Sequence, residues 1–158
     1  MENISEHVAY NESIYSETAA RKSLDNTPSL EILAVMAVTA ENVFEKIRKL
    51  VSDKRGVDSP ININSFYRST ATNAAVGGAT SSQHCKGEAI DMSVAYPDFN
   101  KKDLFDMIRA NMDFDQLIYE GGTPDNPAWV HCSYSSTHNR KECLKMVKVN
   151  GISTYQLF

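Results

Sequence analysis

A histidine and an aspartate seven positions apart, His84 and Asp91, with Gly87 between them, restrict this chain more than any other feature. They read as a tight turn feeding a strand that must carry a charged side chain. Glycine has no Cβ, so at Gly87 the chain can reverse sharply and bring His84 back over Asp91. With residues 88–94 as a strand, period-two alternation places Ala89, Asp91 and Ser93 on one face and Ile90, Met92 and Val94 on the other. The same reading of residues 128–134 sends Trp129, His131 and Ser133 one way and Val130, Cys132 and Tyr134 the other. Laid side by side, the two strands bring Asp91 and His131 together over an apolar core, and small Ala89 leaves room beside them.

The remaining elements supply what such a sheet packs against. Residues 11–23 predict a short helix with Asn11 as its N-cap, and residues 25–28 a turn. Leu30, Leu33, Ala37, Ala40, Phe44, Ile47 and Leu50 or Val51 follow helical spacing, which predicts one long amphipathic helix over residues 29–53, stopped at Gly56. Residues 61–66 alternate as a strand and are followed by a polar, small-residue loop over 69–82. A helix over 101–111, capped near Asp98 or Asn100, and a strand over 116–120 come next. Residues 144–149 and 152–157 flank Asn150-Gly151, the signature of a hairpin turn. Helices leading into a mostly antiparallel sheet make an α+β fold, and 158 residues suit a single domain.

Two histidines and one carboxylate are the donor set with which three protein ligands hold a catalytic zinc and leave its fourth position open. His84, Asp91 and His131 are therefore the expected ligands of one Zn2+ per chain. Arg68, at the end of the strand over 61–66, can form paired hydrogen bonds to a carboxylate.

Ser82, His84, Gly87, Ala89 and Asp91 reproduce the Ser-x-His-x-x-Gly-x-Ala-x-Asp signature of the zinc D-Ala-D-Ala carboxypeptidases, and Trp129-x-His131 matches their second motif. The wider stretch Ser65-Phe66-Tyr67-Arg68-Ser69, Asn73, Gly77-Gly78 and Ser82-Gln83-His84 resembles the compact form of this family found in bacteriophage endolysins and related cell-wall peptidases. The resemblance spans residues 61–134. It implies hydrolysis of peptidoglycan stem or cross-link peptides, as a D,D-carboxypeptidase or an endopeptidase, with Arg68 orienting the substrate. Ser82 and Gln83 are placed either to hydrogen-bond substrate or to cap their loop, and Trp129 either to stack on substrate or to fix the ligand beside it.

In this pattern many relatives carry an acid three residues before the last histidine, where this chain has Ala128. A proton shuttle is still required. Glu120 is the first choice, because Gln116-Leu117-Ile118-Tyr119-Glu120 resembles the strand that relatives place beside the site, and Asp125 is the second.

Composition excludes several other classes. A net charge of -4 without a run of lysines or arginines argues against nucleic acid as partner. No apolar run approaches the ~20 residues of a membrane span. Glu2-Asn3-Ile4-Ser5-Glu6 lacks the character of a secretory signal, so the expectation is of a monomer made in the cytoplasm that acts on the cell wall after release or as a virion component. Cys85, Cys132 and Cys143 are too few for a disulfide framework and read as reduced thiols, the first two as small buried groups. His7 and His138 stay outside the site. Two alternatives keep the same ligands with other chemistry: a cell-wall-binding module that holds metal without turnover, and a non-haem iron oxygenase, whose motif has a tighter His-x-Asp spacing.

Overall fold

Caps and turn residues set most element boundaries in this chain, whose computed structural model describes residues 2–158, Met1 lying outside the described residues. Asn3–Ser5 (β1) and Val8–Ala9 (β2) form a small antiparallel pair, followed by two short helices, Tyr10–Ser13 (α1) and Glu17–Lys22 (α2). The single helix expected over 11–23 is thus broken, and Asn11 lies inside α1 instead of capping it. Ser16 adopts extended backbone, and its hydroxyl accepts from the Ala19 N–H, which starts a second helix where the first would have continued. Residues 25–28, expected as a turn, run as an irregular segment in which Asp25 Oδ1 accepts from the Thr27 N–H at 2.9 Å.

The long helix is present in three joined parts: Leu30–Thr39 (α3), a π-helical stretch Ala40–Glu45, and Lys46–Arg55 (α4). Ser29 caps its start and Gly56, at φ 69°, ends it. Ala40, Phe44, Ile47 and Val51 of the expected stripe are buried, joined by Met36 and Val43, whereas Leu30 at its start is 80% exposed. The π-helical turn sits within that stripe and buries Ala40, Val43 and Phe44. The same stretch presents Glu45, whose carboxylate accepts from the Ser5 hydroxyl and the His7 N–H and lies 2.7 Å from His7 Nδ1, tying down the β1–β2 pair.

Asn62–Ser65 (β3) follows, then a second departure from expectation. The region read as loop contains the helix Thr70–Ala75 (α5), because the Ser69 hydroxyl accepts from the Thr72 N–H and the polar Thr72 and Asn73 are themselves buried. A 3₁₀ turn, Gln83–Lys86, leads to Ala89–Ser93 (β4). Lys101–Asn111 (α6) spans the residues expected, with Asn100 and Asp103 in a reciprocal capping box. Gln116–Glu120 (β5), Trp129–Ser133 (β6) and the hairpin Glu142–Val149 (β7) and Ile152–Leu157 (β8) complete the chain. Asn150 and Gly151 take φ 52° and 81°, as the two-residue turn requires.

Strands β3 to β8 form one sheet in the order β3-β4-β6-β5-β7-β8, antiparallel except for the parallel β5/β7 pair. Met36, Phe44 and Ile47 from the long helix and Leu104, Phe105 and Ile108 from α6 join Ile90, Met92, Leu117 and Val130 from the strands in one buried cluster. Each such fully buried side chain contributes about 1.5–3 kcal/mol. The fold is α+β, and its opposite sheet face carries the polar residues described next.

Candidate metal centre

Asp91 on β4 stands directly opposite His131 on β6, so the pleat sends both side chains to the same face. His84 reaches them from the 3₁₀ turn, which Gly87 closes at φ 73°. That glycine has a second reason to be there: a Cβ on it would stand 2.6 Å from Met36 Cγ, so its absence also lets α3 pack against the turn.

The three side chains are 3%, 5% and 7% exposed for His84, Asp91 and His131. His84 Nδ1 lies 2.6 Å from the Phe66 carbonyl and donates to it, which leaves a lone pair on Nε2. That nitrogen is 3.2 Å from His131 Nδ1 and 3.2 Å from Asp91 Oδ1, and the last two atoms are 2.9 Å apart. Four-coordinate ligands at the usual zinc distances stand about 3.3 Å from one another, so the triangle fits a single small cation. Nε2 of His131, on the other side of its ring, is buried without a partner among the described residues.

Burial alone would raise the pKa of Asp91, but the charge and hydrogen bonds of His84 and His131 outweigh it and hold the carboxyl well below the usual carboxylate range. Its second oxygen, Oδ2, accepts from Arg68 Nη2 at 2.8 Å, and Arg68 Nε donates to Ser65 Oγ at 2.9 Å. Arg68, read from sequence as a substrate-orienting group, is thus bonded to the back of a candidate ligand.

A cleft of about 800 Å³ opens over these residues. Glu120 lines it from the end of β5, with Ile118 and Gln116 on the same face of that strand. Only 8% exposed, Glu120 is no solvated strand end. Desolvation, and then the negative charge of Asp91, raise its pKa. Asp125 is exposed in its loop and does not line the cleft. Ser82, Gln83 and Trp129 do line it, Trp129 half-buried opposite Glu120 on the β5/β6 ladder. The Gln83 amide donates to Asp115 Oδ2 at 3.0 Å.

Asp115 was not singled out by its sequence context. It is 4% exposed and receives Arg140 through both Nε and Nη2 at 2.7 Å, which draws its pKa down and pins the loop after β6 to the cleft edge. Exposed His138 also lines the cleft, whereas His7 is held by Glu45 outside it. Cys132 is buried in the core as expected, burial pushing its thiol up. Cys85 is only half-buried, because it sits on the 3₁₀ turn and not on β4; all three cysteines are free thiols. Among the described residues no helix is long and apolar enough to cross a membrane.

A family model described as Peptidase M15 matches residues 6–133, more than three quarters of the chain and all three candidate ligands. No curated protein matches the chain.

Proposed function

Because the chain belongs to the peptidase M15 family, metallopeptidases that act on peptidoglycan peptides, we propose that it is a zinc-dependent D,D-carboxypeptidase or endopeptidase cutting stem or cross-link peptides. The observation that carries the reading is the triangle of His84 Nε2, Asp91 Oδ1 and His131 Nδ1, buried and locked from behind by Arg68 and the Phe66 carbonyl. Bound there, zinc would supply Lewis-acid polarisation of the scissile carbonyl and bring the pKa of its water to about 7.

The chain's own residues do the rest. Glu120, buried at the cleft wall and raised in pKa, takes the proton of the attacking water and returns it to the amine nitrogen as the C–N bond breaks. Arg68, which lines the cleft, spends one N–H on Asp91 and one on Ser65 and keeps its other donors to orient the substrate. Ser82 and Gln83 bind peptide groups along one wall, and Trp129 supplies an aromatic surface beside His131. The enzyme works as a monomer on the cell wall, in the manner of an endolysin.

Incubating the zinc-loaded protein with purified muropeptides and reading the products by mass spectrometry tests this. Release of terminal D-Ala marks a carboxypeptidase and resolution of cross-linked dimers an endopeptidase. No product from several peptidoglycan types, with zinc bound, would make it a binding module instead.

A further inference from the structure

The family match ends at residue 133, yet the cleft does not. Its far wall is built by the C-terminal hairpin, from which Leu144, Met146 and Tyr155 line the same space as the metal-facing residues. Sheet order explains how. β7 pairs in parallel with β5, the strand that ends in Glu120, and β8 pairs with β7 in a register that sets Tyr155 opposite Met146. Tyr155 is thus two strands from Glu120, on the order of 10 Å at the usual strand spacing, a gap that only a long side chain spans. Its hydroxyl does so, standing 3.5 Å from Glu120 Oε1. Among the described residues it is the one side-chain donor within hydrogen-bonding distance of that carboxylate.

We infer that Tyr155 is a positioning residue for the reaction: its hydroxyl donates to Glu120 Oε1 and so aims the carboxylate, leaving Oε2 to carry the proton. The inference rests on the reading of Glu120 as proton shuttle. In the step it assists, water loses a proton to Oε2 as its oxygen bonds to the scissile carbon. Oε2 then gives that proton to the nitrogen as the C–N bond breaks, and the phenol keeps its own proton throughout. A glutamate side chain has a broad terminal torsion, which lining an open cleft does not fix. A phenol carried on a paired strand supplies that orientation in advance.

Kinetics of the zinc-loaded wild type, Tyr155→Phe, Glu120→Gln and the double variant on muropeptides test the inference. Tyr155→Phe keeps the ring and the strand, and is expected to lower kcat by about tenfold with KM unchanged, while adding no further loss on the Glu120→Gln background. Wild-type kcat in Tyr155→Phe, or the same fold-loss in both backgrounds, overturns it. Turnover retained by Glu120→Gln alone sinks the proton-shuttle reading itself, a different failure. Thermal unfolding of the four metal-free proteins gives an arm independent of activity: the two substitutions shift Tm non-additively if the groups are bonded, and additive shifts contradict the bond.

Discussion

The β4/β6 pair and the β7/β8 hairpin are both antiparallel ladders of one sheet, and they are built on opposite terms. The first is short and central, and it is buried from Ala89 to Met92 and from Val130 to Ser133. The second has six register pairs, but β8 is exposed along its whole length at the sheet edge. In the central pair a slip of one residue would turn Asp91 into the core and Ile90 toward the cleft, so burial itself enforces the geometry of the donor triangle. At the edge, register is held by the Asn150-Gly151 turn and by strand pairing, and little burial is at stake. The candidate donors sit where packing forbids displacement, and the hairpin wall of the cleft sits where change is cheap.

Substitutions at the centre should therefore abolish function, and those at the edge should only trim it. The largest effect is expected for His131→Ala, which should cost about a thousandfold or more in turnover while circular dichroism stays native. Activity near wild type would remove His131 from the metal set. Glu120→Gln follows, with a loss in kcat of about 10²–10⁴-fold. In the metal-free wild type the Glu120 carboxyl, pushed up by burial and then by the charge of Asp91, should lose its proton above the ~4.3 of an ordinary glutamate in an NMR titration. A midpoint at or below that value would contradict the buried setting given to Glu120. Arg68→Met, which releases Asp91 Oδ2 without touching a ligand atom, should weaken metal affinity by about 10–100-fold in a chelator competition.

How far these residues could be read in advance depends on the range of the interactions that place them. His84, Gly87 and Asp91 lie within one turn and one strand, so spacing and alternation suffice. His131 needs only that two alternating strands be neighbours. The Arg68–Asp91 bond requires the β3/β4 pairing, and the Tyr155–Glu120 contact requires β7 to pair in parallel with β5 on the side opposite β6, which no local pattern encodes. Helix α5 stayed hidden for another reason, since Thr72 and Asn73 enter the interior as polar groups and leave no apolar stripe to read. The break between α1 and α2 turns on one serine, Ser16, choosing to cap instead of to continue.

Smaller effects sharpen the contrast further. Asp115→Asn, at the cleft edge, should cost about 1–2 kcal/mol at neutral pH, discounted because Arg140 is half exposed. Arg140 hydrogen bonds, acting against burial, lower the folded pKa of Asp115, so its contribution is present above the unfolded value of about 3.9 and is lost as pH falls through the folded one. The variant should lose that part of the acid dependence of denaturant midpoints, and an unchanged dependence would contradict the assignment. Least of all, Gly151→Ala, forced into φ 81° with open space around it, should lower stability by about 1 kcal/mol and leave metal binding untouched.

The central claim is that His84, Asp91 and His131 together hold one zinc, and metal content tests it most directly. Elemental analysis after dialysis against trace zinc should give one zinc per chain in the wild type and close to none in folded His84→Ala; full zinc occupancy in that variant would contradict the account.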